Sequence, residues 1–173
     1  MHMVIKSIER FERVFVYLSA IFMGLLSVMV FYEVIARYVF DSPTIWANEL
    51  STYLLQFIVF FSMGYLVIKD EHLKVTFFLD KVKGRASKAL KIFNHLLIIP
   101  YASILLIYGL NVTKTTFERD ATSPTLLAVP LWIPNSFIFL GGALLILGCI
   151  CAILKIIFEQ PAEETEEGGK IYD

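Results

Sequence analysis

Charged residues in this chain fall in clusters, and four long apolar runs lie between the clusters. Val14–Tyr32 and Leu50–Ile68 each run nineteen residues without Asp, Glu, Lys or Arg, Ile92–Thr113 runs twenty-two, and Ala121–Leu154 runs thirty-four. At roughly 1.5 Å of rise per residue, about 20 apolar residues in a helix cross the hydrocarbon core of a bilayer. The fourth run exceeds one simple crossing, and Pro124, Pro130 and Pro134 interrupt its first part. The last helix is therefore placed from about Pro134, a residue type suited to the first helical turn, to about Phe158. The pattern predicts an all-α membrane protein with four transmembrane helices, at about 14–37, 48–68, 92–113 and 134–158.

Shorter periodicities fill in the rest. Residues 1–13 read as an amphipathic N-terminal helix, with Ile8, Phe11 and Phe15 on one face and Glu9 and Arg13 four apart. Glu33 and Arg37 repeat that spacing at the end of the first span. Between spans two and three, about 73–91, Val75, Phe78, Leu79, Val82, Ala86, Ala89 and Leu90 gather on one side of a helical projection. Lys74, Lys81, Lys83, Lys88 and Lys91 take the other side, with Arg85 at the border. This predicts a cytoplasmic interfacial helix lying on the leaflet, its cations toward lipid headgroups. A stiff loop of about 114–133 joins spans three and four, and residues 159–173 read as a disordered acidic tail.

Composition agrees: 57% of the residues are hydrophobic and 18% charged, too much apolar surface for a soluble domain of 173 residues to hide. The net charge of −1 gives no field that would favour nucleic acid. Twelve of the fifteen Lys and Arg fall on one side of the predicted topology, leaving Arg37, Lys114 and Arg119 on the other. Basic loops stay in the cytoplasm, so both termini are expected to face inward. The first span is longer than a signal-peptide core and lacks a small-x-small cleavage site, so it is expected to be retained.

Candidate chemistry is sparse. Cys149 and Cys151 lie two apart on one helix, where they cannot bond each other, and read as buried apolar residues. His95 is the one histidine inside a span. A membrane haem usually takes two axial ligands from facing helices, so a hydrogen bond between packed helices is the expectation for it. No metal-ligand spacing and no phosphate-binding glycine loop occurs, and no cofactor is expected. Intramembrane polar residues come down to Ser51, Thr52, Gln56, Ser62, Asn94, His95, Ser103 and Asn111, with no carboxylate near a midplane. That is too little for an independent ion-coupled pump and suits helices packed against a larger partner. Gly141, Gly142, Ala143 and Gly148 would permit close approach on span four.

Arg37-Tyr38-Val39-Phe40, Trp46-Ala47-Asn48-Glu49-Leu50 and His72-Leu73-Lys74-Val75, in that order and spacing, resemble the small membrane subunit of tripartite ATP-independent periplasmic (TRAP) transporters, the DctQ-like family. Four spans and Pro130-Leu131-Trp132-Ile133-Pro134 before a glycine-rich last helix extend the likeness over nearly the whole chain. The chain departs from the family's pattern at Phe57, Ser62, Thr76 and Phe139. The resemblance implies a non-enzymatic scaffold in the bacterial inner membrane. Its implied partners are a large transport subunit, which carries sodium and an organic acid, and a periplasmic substrate-binding protein. A haem- or quinone-associated anchor subunit of a membrane oxidoreductase, built on His95, is the alternative.

On this reading Trp46 and Trp132 anchor the outer interface, with partner contact as a second role for Trp46. Arg37 and Glu49 would pair across adjacent helices to fix the first loop, or else help dock the binding protein. Such a pair predicts that alanine at both positions is no worse than alanine at either. Glu118 and Asp120 mark the second docking candidate, and His72 is expected to orient the interfacial helix.

Overall fold

The computed structural model describes residues 2–69 and 85–158, and four long helices account for most of them. They are α1 (His2–Tyr38), α2 (Ile45–Ile68), α3 (Arg85–Glu118) and α4 (Trp132–Phe158). All four are long and apolar enough to cross a membrane. Among the described residues the only extended pairing is an isolated bridge between Thr122 and Pro130. The described residues form a four-helix membrane bundle.

Two helices outrun the spans expected of them. The predicted N-terminal helix is not a separate element: α1 is one rod of 37 residues, about 55 Å at the usual rise. Its buried side is a heptad stripe of Ile5, Ile8, Glu12, Phe15, Ser19, Phe22, Leu26, Met29, Glu33 and Ala36. Residues 85–91 form the first turns of α3 and run unbroken into its apolar part, rather than closing an independent interfacial helix. The rest of that predicted segment, with His72, Lys74, Lys81 and Lys83, lies outside the described residues. So does the predicted acidic tail. The side chains of Arg85, Lys88 and Lys91 are likewise outside the description.

α4 is the centre. It packs against α3, α2 and, more lightly, α1, while α1 rests mainly on α2. Accordingly 44% of the apolar window of α4 is buried, against 11% in both α1 and α3. Glycines set the spacing. A Cβ on Gly148 would lie 2.5 Å from the Gly64 carbonyl oxygen of α2, and one on Gly142 would lie 2.8 Å from the Leu106 nitrogen of α3. Two backbones therefore approach α4 closely, as the small residues of span four suggested. Phe57 and Phe61 of α2 stack at 4.1 Å and meet Phe137 of α4 edge-on, while Phe15 and Phe22 of α1 reach the same seam. Cys149 and Cys151 form no disulfide and are fully buried, in separate clusters.

Candidate functional site

Polar residues concentrate at the two ends of the bundle. The end formed by the α1–α2 and α3–α4 loops brings together Arg37, Trp46, Glu49, Glu118, Asp120 and Trp132. These are six of the residues singled out from the sequence. Their contacts differ from expectation.

Arg37 does not pair with Glu49. Its guanidinium donates to Glu33 Oε1 at 2.7 Å, one turn back on α1. Glu33 Oε2 accepts both the Thr44 backbone N–H at 3.1 Å and the Thr44 hydroxyl. Thr44 is the extended residue before α2, so Glu33 ties the first loop to the end of α1. Glu49 does the same for the other loop. It accepts from the Tyr53 hydroxyl at 2.6 Å and from the Thr125 hydroxyl, which lies 3.1 Å from the Ser123 hydroxyl. Two carboxylates thus hold two loops, through separate partners. The nearer i, i+4 partner satisfied Arg37 first, and the partners of Glu49 come from a distant loop that no local spacing could reveal.

That second loop is ordered by its own backbone. Asp120 takes φ of 45°, with its N–H donating to Phe117 O at 3.2 Å and Ala121 N–H donating to Thr116 O at 3.0 Å. This is the left-handed termination that stops a helix, with aspartate where glycine is commoner. Ser123 N–H to Val129 O and Leu131 N–H to Ala121 O, both 2.9 Å, then draw the loop into a narrow tongue. Leu126 sits at its tip, 85% exposed, beside the exposed Leu127. Glu118 is exposed and lies 3.7 Å from Lys114. Gln56 of α2 donates to Pro134 O at 3.0 Å, seating the start of α4. Trp46 stacks near Tyr32 and Trp132 meets Phe117 edge-on, each tryptophan 40% exposed. Partly exposed tryptophans at one level suit a membrane–water boundary. An open groove of about 240 Å³ lies between α1 and α2, with Glu33, Arg37, Tyr38 and Asn48 above Val30 and Val34.

The opposite end, which carries the N-terminus and the end of α4, holds a cluster of which the sequence showed only the Glu9–Arg13 spacing. Glu9 Oε2 accepts from Lys155 at 2.9 Å, while Oε1 lies 3.3 Å from Arg13 and 3.5 Å from Lys69. One carboxylate thereby joins α1, the cap of α2 and the last turn of α4. One turn deeper, Glu12 is 0% exposed and neither carboxyl oxygen has a hydrogen-bond partner. It rests in the notch left by Gly64, where a Cβ would collide with Oε2. The sequence reading puts Glu12 within the amphipathic N-terminal helix, before the first span, and gives it no role. The heptad through Ile5, Ile8, Phe15 and Phe22 was the signal that it belongs to the interior. Glu12 is thus a buried carboxyl near the terminal end of the bundle, away from the midplane, where the described spans carry none. His95 is buried on α3. Among the described residues no group of three or more His, Cys, Asp or Glu could hold a metal.

A comparison with curated proteins finds no match to the chain. A comparison with protein families matches residues 26–159 to the family described as "Tripartite ATP-independent periplasmic transporters, DctQ component".

Proposed function

The chain belongs to the DctQ family, the small membrane component of tripartite ATP-independent periplasmic transporters, and from that premise we propose that it braces the large transport subunit and helps dock a substrate-binding protein. The family is one of transporter components, not of enzymes, and the bundle is that of a multi-pass membrane protein. The transport carried out by the assembly, on this proposal, is sodium-coupled uptake of an organic acid across the bacterial inner membrane, with both termini of this chain in the cytoplasm. The bias of Lys and Arg toward the terminal end supports that orientation. His72 and the cations from Lys74 to Lys91 would then meet the cytoplasmic leaflet, where each surface-proximal Lys or Arg adds on the order of 1 kcal/mol on anionic lipid.

The observation that carries the reading is the use made of polar groups. Glu33 and Glu49 are turned inward to hold loops, and Glu9 binds three helices together. Meanwhile α1 and α3 leave most of their apolar surface uncovered along the crossing. A protein arranged in this way offers rigidity and area, which a moving partner needs. The loop end supplies the docking face, with Arg37, Trp46, Glu118, Trp132 and the Leu126 tip exposed on it.

The test is solute uptake into proteoliposomes. Liposomes holding this chain alone should stay silent. Those holding it with the large subunit and the binding protein should accumulate solute, and omission of this chain should abolish uptake. Transport by the chain alone would refute the proposal.

A further inference from the structure

We propose that Glu12 is an internal proton-binding site: its carboxyl is held as the neutral acid in the crossing of α1 with α2 and α4, and gaining or losing that proton seats or unseats α1. The family reading gives this subunit no ionic chemistry of its own, so the inference stands apart from it.

Burial and neighbours carry the case. Both oxygens of Glu12 are buried and lack a partner. An ionised carboxylate removed from water needs a cation or several donors, and an apolar bundle supplies neither cheaply. Among the described residues, three cations at this end of the bundle are already engaged. From α1 Arg13, from the end of α2 Lys69, and from α4 Lys155 all turn to Glu9. Facing Glu12 itself are Gly64 of α2 and, within electrostatic reach, the buried Cys149 thiol of α4. The Ser19 hydroxyl, also buried and unpaired, lies two turns further along α1, about 10 Å away at the usual rise. On the far side Phe15 closes the site by packing on Phe61. A proton is the ligand that fits: it adds to one oxygen as the carboxylate becomes a carboxylic acid, with no other co-reactant.

The way out is past Glu9. An ionised Glu12 would be drawn toward Lys69 and Lys155, and to reach them it must leave the Gly64 notch. The first turns of α1 would then lift from their contact beneath Ile5, where the Cys151 sulfur lies 3.8 Å from the Ile5 carbonyl oxygen. Proton occupancy and helix seating are one event in this geometry.

Infrared spectroscopy of the lipid-embedded complex with its large subunit tests the proposal. The native protein at neutral pH should show a carboxylic-acid carbonyl stretch that vanishes in Glu12→Gln and survives in Glu9→Gln. On raising the pH that band should fade, while maleimide labelling of Cys151 rises several-fold more in the native protein than in Glu12→Gln. Glu12→Gln, a neutral isostere, should assemble in native yield. The proposal is overturned if native and Glu12→Gln spectra coincide in the acid region, if labelling rises equally in both, or if the glutamine variant fails to assemble.

Discussion

Glu49 was read from the sequence as half of an ion pair, and its surroundings make it a loop anchor instead. Arg37 and Glu49 share no partner: one turns to Glu33, the other to Tyr53 and Thr125. Independent sites add, so the combined Arg37→Ala, Glu49→Ala variant should lose the sum of the two single losses in thermal stability. A pair would instead make the double variant equal to either single one. Glu49→Ala should also speed proteolytic cleavage within 119–131 on the order of tenfold, as expected from losing about one or two hydrogen bonds that hold the tongue, and Arg37→Ala should not. Limited digestion in detergent reads this directly. What was legible at this scale was local: Glu9–Arg13 and Glu33–Arg37 follow from i, i+4 spacing alone. Thr125 against Glu49 was not legible, because it depends on how a loop folds back across 76 positions. Glu12 was legible in principle. Counting charges hid it, and following the heptad would have found it.

Among the elements, apolar run length located all four helices and under-read two of them. α1 begins before the charge-free run, since Glu9 and Glu12 both face other helices and need no separate amphipathic segment. α3 extends to Glu118, one turn past Thr113, and ends where Asp120 can take a left-handed backbone. Pro100 lies inside α3 without ending it, which neighbouring helices permit in a bilayer. The glycine contacts fix how these rods cross. Gly148→Ala would press a methyl against the Gly64 backbone, which cannot yield as a side-chain tip can. Overpacking of this kind costs about 1–3 kcal/mol. A Cβ on Gly24 would meet nothing within 4 Å, so Gly24→Ala should gain roughly 0.5–1 kcal/mol of helix preference. Thermal unfolding in detergent should therefore fall for Gly148→Ala and hold or rise for Gly24→Ala. An equal response from both would mean that the α2–α4 crossing is not set by glycine.

At the scale of the whole molecule, the chain has a closed centre and open flanks. α4 is the most buried of the four helices, the loops are tied down at one end, and Glu9 clamps three helices at the other. Four apolar rods could be read from composition and run length because the bilayer imposes a length on each. Which faces stay uncovered could not, since that depends on the pairing of rods around α4. The uncovered lengths of α1 and α3 are what a larger membrane protein would lie against. Purification through a tag on this chain, followed by the native mass of what elutes, tests that most directly. A one-to-one complex with a much larger polytopic membrane protein is the expected species. Elution as a lone bundle, or as an assembly of copies of itself, would contradict a bracing role.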